Sequence, residues 1–319
     1  MISLIKDNLH EYKAIKRQNQ AFKIISKYII SSENTFHPSK SQNDDVVWQF
    51  WEIPTNPSST GNDLVSSCMR SISQYIWDGY EQKILNLEES KHYILFPDFV
   101  YEKLEAKAPG FTITAFSDIL RLALLIQYGG IWADATILAL RPLKDIYLLN
   151  REETGFSFER SFDELPKTRR EWRHYDSGYF SWSPFSRVGW LNSLIVSGKN
   201  KKTLSELLRI LLSIWKHESN YPHYFTTQII YNHLIQKKGF PRFTFQSDVP
   251  VHFLQKYANE TYNKETFDEI KRKYPIQKMN WKIESTKIAT SDTFPDFRQK
   301  SHFRCLKGSE VQDFRAFLL

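Results

Sequence analysis

Three charged side chains in an apolar stretch are the first candidates for chemistry. Asp118 and Arg121 interrupt a run of apolar residues, their spacing places them on one face of a helix, and Asp134 follows further along the chain. A buried charge without a partner is costly, so each should be paired or should face a polar cavity. One interpretation is an internal ion pair that holds the helix against a sheet. The other interpretation is a ligand site, where Asp118 accepts hydrogen bonds from a sugar hydroxyl and Arg121 holds a phosphate or sugar oxygen. A third charged group nearby, Asp134, favours this second interpretation.

The elements that must position these residues are a buried helix and a short strand. Residues 119–126 are almost all apolar, which predicts a helix buried on most of its surface, and Gly129 and Gly130 can end it. Residues 131–133 then predict a buried strand with Asp134 at its carboxyl end, the edge where open α/β sheets bind ligands. Further strands are predicted at 46–51, 83–87, 155–159 and 243–251, and helices at 62–77, 97–107, 204–215 and 264–273. This alternation predicts an α/β fold with a mostly parallel sheet.

The segment after the predicted helix contains a motif, Gly-Gly-x-Trp-x-Asp-Ala-Thr. Its residues are Gly129, Gly130, Trp132, Asp134, Ala135 and Thr136. The motif resembles that of the bacterial capsular polysaccharide synthesis proteins and, more broadly, the DXD-motif sugar-binding glycosyltransferases, which include the yeast-type mannosyltransferases and the large clostridial toxin glucosyltransferases. A second match lies upstream, in Trp48, Trp51, Val65, Cys68 and Ser71. A weaker third match covers residues 278–282, beginning at Lys278.

The resemblance implies an A-type glycosyltransferase fold, in which a mostly parallel Rossmann-like sheet is flanked by helices. Residues 41–319 would form a single domain, with a nucleotide-sugar-binding half at 46–160 and an acceptor-side half at 161–319. Residues 1–40 would be an N-terminal helical extension. The implied function is transfer of a sugar from a UDP-linked donor to a cell-surface or capsular polysaccharide precursor, with retention at the anomeric carbon. The alternative is a catalytically degenerate carbohydrate- or nucleotide-binding protein of the same fold.

The same resemblance implies roles for individual residues. Asp118, Arg121 and Asp134 would be catalytic, because they would position the transferred sugar and stabilise the departing phosphate. The implied substrate-binding residues are Trp48, Trp51, Trp132, Thr136 and Ser177. Asp134 and Thr136 would hold Mn²⁺ or Mg²⁺, although a threonine hydroxyl in place of a second aspartate is a weaker ligand for a hard cation. No nucleophile is assigned.

Two of these assignments depend on local geometry. Trp48 and Trp51 point to opposite sides of one predicted strand, so one should pack in the core while the other could stack on a nucleotide base. The spacing leaves open which of them does so. Residues 177–180 resemble the short strand that follows the motif in related enzymes and lines their donor site, which implies a strand here.

The composition indicates the class of partner and the compartment. A formal charge of +7 and a pI near 9.1 over 319 residues suit anionic partners such as nucleotide sugars or lipid-linked glycan acceptors. A basic nucleic-acid-binding module is a competing interpretation, but no recognition signature supports it and no nucleic acid partner is predicted. Cys68 and Cys305 lack metal-ligand spacing and indicate reduced thiols in a cytoplasmic protein. No apolar run reaches the roughly 18–20 residues that span a bilayer, and no signal sequence is recognised, so we expect a soluble or peripheral protein.

Residues 1–34 are predicted to be helical and separate from the core. Apolar residues recur on two helical faces, and basic residues occupy the others: Lys6, Lys13, Lys16, Arg17, Lys23 and Lys27. A basic amphipathic segment can lie on an anionic membrane, although it more often packs on its own domain or on a partner subunit. Our hypothesis is peripheral attachment at the inner face of the cell membrane, near a lipid-linked acceptor.

Overall fold

A computed structural model describes residues 2–31, 36, 45–52, 63–76, 79–144, 154–256 and 264–280. Within these ranges the chain is an α/β structure built on a six-stranded sheet. The strands are β1 (Val46–Phe50), β2 (Glu81–Leu85), β3 (Ile131–Ala133), β4 (Ile137–Ala139), β5 (Phe156–Glu159), β6 (Trp190–Val196), β7 (Thr244–Ser247) and β8 (Ile276–Lys278). The order in the large sheet is β2-β1-β3-β6-β5-β7, and β4 pairs with β8 in a separate two-stranded sheet.

The central sheet is mostly parallel, as predicted. β1 lies parallel to β2 and β3, and β5 lies parallel to β7, while β6 runs antiparallel to both β3 and β5. Sequence reasoning missed β6, because a strand buried along nearly its whole length has no alternation of apolar and polar residues. The α/β class and the Rossmann-like arrangement are confirmed.

Helices pack on the sheet and complete the fold. They are α1 (Ile2–Ser31), α2 (Asp63–Tyr75), α3 (Leu87–Ser90), α4 (Asp98–Glu105), α5 (Ile113–Gln127), α6 (Pro166–Asp176), α7 (Lys202–His217), α8 (Thr226–Lys238), α9 (Phe253–Lys256) and α10 (Lys264–Lys273). Neighbouring residues of β1 enter different hydrophobic clusters: Trp48 packs with α5, α7 and α8, whereas Val47 packs with Ile72 of α2. The strand therefore has a core on each of its faces.

α5 carries two of the predicted site residues into the main core. Its residues from 118 to 126 are all buried. Gly129 and Gly130 follow the helix with φ angles of 79° and 82°. A Cβ atom at Gly130 would lie 2.4 Å from the carbonyl oxygen of Val46, so glycine is required where the chain turns from α5 into β3 beside β1.

The N-terminal helix is not separate from the core, and that prediction is wrong. Ala21 and Ile25 of α1 belong to the same buried cluster as β1 and α5. The helix packs against α6, α7 and α8, and the Tyr28 hydroxyl donates a 2.7 Å hydrogen bond to Glu218. The physical reason is the helical spacing of small and apolar residues in the second half of α1, which forms a stripe that the domain covers.

Some predictions concern residues outside the described ranges. Cys305 lies there, as do residues 281 and 282 of the third motif match. The predicted domain boundaries stay predictions. Among the described helices, none combines the length and the apolar character needed to cross a bilayer.

β8 brings the last described segment next to the motif. It runs antiparallel to β4, with Lys278 opposite Ile137. The backbone N–H of Met279 donates a 2.9 Å hydrogen bond to the carbonyl of Thr136. This pairing joins segments that are distant in sequence, and it places the Lys278 side chain beside Asp134.

A buried polar cluster supports β8. The 3₁₀ turn Pro250–His252 packs against this strand, and Nδ1 of His252 lies 2.7 Å from the carbonyl oxygen of Asp248. Arg160 donates two hydrogen bonds, of 2.8 and 2.7 Å, to the Asp248 carboxylate. Burial is the main cause that lowers the pKa of His252, which is about 4 after Asp248 has partly opposed the shift and Arg160 and Lys278 have added to it. The imidazole is therefore neutral in the folded protein at neutral pH.

We expect His252 to make the stability of the fold depend on pH. The unfolded chain binds a proton at this residue near pH 6.5, whereas the folded chain binds it only near pH 4. The free energy of unfolding should therefore fall as the pH is lowered through this window, by on the order of 3 kcal/mol. Urea denaturation at about pH 7 and about pH 4.5 measures the effect. His252→Asn should lose this part of the pH dependence and the exposed-site control His92→Asn should keep it; equal pH dependence in wild type and His252→Asn would contradict the assignment.

Candidate functional site

The structure brings the three predicted charged residues together. Asp118 and Arg121 project from α5, and Asp134 follows β3 at its carboxyl end. The Nη2 atom of Arg121 lies 3.1 Å from Oδ1 of Asp118 and 3.4 Å from Oδ1 of Asp134. One guanidinium thus links two carboxylates, as the helix-then-strand pattern predicted.

Asp118 and Arg121 are sealed within the protein. Their side chains are 9% and 4% exposed. Asp118 accepts hydrogen bonds from Asn192 at 3.1 Å and from the Thr227 hydroxyl at 2.8 Å, and Nη1 of Arg121 donates to the Asn192 carbonyl at 2.6 Å. Burial raises the pKa of Asp118, although Arg121 counteracts it. These contacts match the internal ion pair of our first interpretation, and the direct ligand contacts predicted for both residues stay predictions.

Asp134 is the carboxylate that solvent reaches, with 21% of its side chain exposed. Its Oδ1 accepts a 2.8 Å hydrogen bond from the Trp132 indole, and its Oδ2 lies 3.0 Å from Nζ of Lys278. Burial alone would raise the pKa of Asp134, but Lys278, Arg121 and the Trp132 hydrogen bond outweigh it and lower the pKa to about 2. The site therefore offers an ionised, oriented carboxylate at the carboxyl edge of a parallel strand.

The residues predicted to hold a divalent metal are bound to a lysine. Nζ of Lys278 contacts both Oδ2 of Asp134, at 3.0 Å, and Oγ1 of Thr136, at 2.6 Å. In the described part of the chain, no group of three or more His, Cys, Asp or Glu side chains is placed to hold a metal ion. One carboxylate and one hydroxyl, both engaged by an ammonium group, do not fit the oxygen-rich shell of Mn²⁺ or Mg²⁺. The metal stays a prediction, and these residues do not support it.

The three tryptophans occupy different positions. Trp48 is 1% exposed, and its indole donates a 3.1 Å hydrogen bond to the Gly129 carbonyl. Of Trp48 and Trp51, Trp48 is therefore the one that packs in the core. Trp132 is also 1% exposed, and its ring lies 5.1 Å from the Arg121 guanidinium. Trp51 is only partly buried and packs beside Ala135 of the motif. Of these three tryptophans, Trp51 is the one that is partly exposed, and its predicted contact with a nucleotide base stays a prediction.

Ser177 lies in a turn, and the strand predicted for residues 177–180 is wrong. The turn follows the end of α6. This helix was not predicted, because its sequence is mostly basic and polar. Ser177 is 3% exposed, and its hydroxyl lies 3.1 Å from Nδ1 of His10 on α1. It lines a cavity of about 370 Å³ together with Asp176 and Asn280. A donor contact for Ser177 stays a prediction.

Three residues at the site were not predicted to be there: Asn192, Thr227 and Lys278. Asn192 belongs to the missed strand β6, and Thr227 is the second residue of α8 and donates to Asp118. Tyr224 is 70% exposed, yet the pKa of its hydroxyl is raised, first by desolvation and then by the charges of Asp134 and Asp118. Lys278 opened a recognised motif match, but nothing in the sequence connected it with Asp134. Tyr224 belongs to the aromatic segment 221–225, which resembles a stretch that faces the cleft in related proteins.

Sequence comparison supplies the family. The model of the capsular polysaccharide synthesis protein family matches residues 2–297. No curated protein matches the sequence significantly. The family match spans the helix α5, the Asp134 motif and the Lys278 strand, which together build the site described above. The chain therefore belongs to the capsular polysaccharide synthesis protein family.

Proposed function

We propose that this chain is a glycosyltransferase that moves a sugar from a UDP-linked donor to a cell-surface or capsular polysaccharide precursor, with retention at the anomeric carbon. Membership of the family supports a part in capsular polysaccharide synthesis. The resemblance of the Asp134 motif to the DXD-motif glycosyltransferases supports the reaction class and the A-type glycosyltransferase fold.

One observation carries the proposal: two cations and a partly exposed carboxylate meet at the carboxyl end of β3. Asp134 lies 3.4 Å from Arg121 and 3.0 Å from Lys278. A sugar-nucleotide donor releases a diphosphate, and its transfer requires fixed positive charge where negative charge develops. The carboxyl edge of a parallel sheet is also where α/β folds bind nucleotides.

Each side chain then has a distinct role. Asp134 accepts a hydrogen bond from a ribose hydroxyl, and the partly buried Trp51 ring stacks on the base. Tyr224, which is exposed and whose pKa is raised by desolvation and then by the charges of Asp134 and Asp118, contacts the transferred sugar. Asp118 and Arg121, which are buried and paired, are positioning residues that hold Asp134 in place.

The test is a donor screen on the full chain. UDP-, GDP-, CMP- and dTDP-sugars are incubated with the protein, and release of nucleotide is followed in the presence of Mn²⁺ and of a chelator. Turnover of at least one UDP-sugar, lost in Asp134→Asn, is the expected result. If no nucleotide sugar is turned over or bound in either condition, the proposal is wrong.

A catalytically degenerate binding protein is the second candidate. It is favoured by Thr136, which stands where related motifs have a second aspartate, and by the engagement of that hydroxyl with Lys278. The same screen separates the candidates, since a degenerate relative would bind a nucleotide sugar saturably without releasing nucleotide.

The first half of α1 supports the hypothesis of membrane contact. Ile5, Leu9 and Tyr12 are 60%, 50% and 62% exposed, and their spacing places them on one helical face. The neighbouring Lys6 and Lys13 are also exposed. An exposed apolar stripe flanked by lysines suits the interface of an anionic membrane, where a lipid-linked acceptor would lie.

We expect the full chain to cofloat with vesicles that contain anionic phospholipid. Because the second half of α1 is part of the core, point substitutions are preferable to deletion of the helix. The combined variant Ile5→Ser, Leu9→Ser and Tyr12→Ser should lose most of the bound fraction, while Leu95→Ser, at a site 77% exposed elsewhere on the surface, should keep it. Equal flotation of the triple variant and the wild type would exclude this face as the contact.

A further inference from the structure

The Lys278 ammonium group occupies the position between the two motif oxygens. Its Nζ lies 3.0 Å from Oδ2 of Asp134 and 2.6 Å from Oγ1 of Thr136. The pairing of β8 with β4 fixes this placement, because Lys278 lies opposite Ile137. The side chain is 19% exposed, so Lys278 is not sealed within the protein as Arg121 is.

These two oxygens are the ones that a metal-dependent version of the motif would use. An ammonium has three N–H donors, and within the described residues two of them suffice for Asp134 and Thr136, which leaves one for a ligand. A divalent cation bound to the same oxygens would lie within a few Å of the ammonium, where like charges repel strongly. The lysine and a metal ion are therefore alternatives at this position.

We propose that Lys278 supplies the cation that acts on the leaving diphosphate, in place of a divalent metal ion. The inference rests on the proposed function. During transfer, the bond between the anomeric carbon and the β-phosphate oxygen breaks, and its electron pair stays on that oxygen. The acceptor hydroxyl oxygen forms the new bond to the same carbon, and its proton passes to the departing diphosphate. The Lys278 ammonium, oriented by Asp134 and Thr136, donates a hydrogen bond to the diphosphate as its negative charge grows.

The neighbouring charges make this role feasible. Arg121 lies 3.4 Å from Asp134 on the other carboxylate oxygen, so the carboxylate is held between two cations. The Arg121 guanidinium is 4% exposed and is committed to protein oxygens, whereas the lysine reaches solvent. Of these two cations, Lys278 is the one that can touch a ligand.

The test measures binding of nucleoside diphosphates to the full chain by calorimetry. UDP and GDP are titrated in buffer with Mn²⁺ and in buffer with EDTA. We expect the wild-type affinity for the nucleotide that binds to agree within about 2-fold between the two buffers. Lys278→Ala, and Lys278→Met, which keeps the apolar stem, should bind about 10- to 100-fold more weakly in EDTA. Lys273→Ala removes a lysine of α10 that is exposed and paired with the exposed Glu269, and this variant should bind as the wild type does.

A second variant measures a property that a merely structural lysine would not change. The double variant Lys278→Ala with Thr136→Asp removes the ammonium from between the two side chains and creates an Asp-x-Asp pair with Asp134. Binding of nucleoside diphosphate by this variant should therefore depend on Mn²⁺. A wild-type affinity that falls more than about tenfold in EDTA would overturn the inference while leaving the proposed function intact. Unchanged affinity in both Lys278 variants would also overturn it. Absence of nucleoside diphosphate binding in every buffer would overturn the proposed function and this inference together.

Discussion

Replacing Asp134 with asparagine is expected to lower kcat/KM for sugar transfer by about 10²- to 10³-fold. The amide keeps the size of the side chain and can still accept a hydrogen bond from Trp132. It loses the negative charge that holds Lys278 at 3.0 Å and Arg121 at 3.4 Å. The donor would meet cations that are no longer oriented, and its ribose would lose a strong acceptor.

The same substitution has a smaller, calculable effect on stability. The pKa of Asp134 is about 2 in the folded protein against an ordinary 3.8, so its ionised form stabilises the fold above pH 3.8 and this stabilisation is lost as the pH falls toward 2. At neutral pH the asparagine variant should therefore be less stable by about 2 kcal/mol, and its activity must be assayed well below its melting temperature. Asp163→Asn, at an exposed carboxylate, is the control and should change neither property. Turnover by Asp134→Asn within about twofold of the wild type would show that Asp134 does not act on the substrate.

Replacing Arg121 with alanine is expected to destabilise the fold by about 3–5 kcal/mol. The guanidinium bridges Asp118 and Asp134, and it also donates to the Asn192 carbonyl at 2.6 Å. With its side chain 4% exposed, its removal leaves the Asp118 carboxylate buried without a cation and a carbonyl without a donor. Urea denaturation at neutral pH measures the loss.

Two matched variants test this explanation. Arg121→Lys keeps the positive charge but loses the planar guanidinium group that contacts Asp118 and Asp134 together. It should therefore be more stable than Arg121→Ala but less stable than the wild type. Sugar transfer should still be impaired, because Asp134 loses its contact with the guanidinium. Lys91→Ala removes a cation from an exposed pair of the same i,i+3 spacing, with Glu88, and should change the free energy of unfolding very little. A similar, small loss for Arg121→Ala and Lys91→Ala would contradict the buried bridge.

The elements with strong local patterns were predictable from the sequence. The strand at 131–133 and the helix at 264–273 have the predicted bounds, and α2, α4 and α7 lie within two or three residues of theirs. Continuous apolar character, glycine at the helix end and helical spacing of charges are local properties. They were sufficient to bring Asp118, Arg121 and Asp134 to one place.

The elements that depend on partners distant in sequence were not predictable. β6 is buried on both faces and β8 is short, so neither has a periodic pattern, and both are defined by the strands they pair with. The turn at Ser177 and the packing of α1 on α7 and α8 are likewise decided by contacts with other elements.

By itself, the sequence determined the chemical groups of the site, the α/β class and the family resemblance, because these depend on residue type and local order. Only the tertiary structure decided that Asp118 and Arg121 are buried and paired, that Asp134 reaches solvent, and that Lys278 contacts both Asp134 and Thr136. Exposure and ionic pairing arise from how distant segments pack, and the free energy of a charge depends on those surroundings more than on its neighbours along the chain.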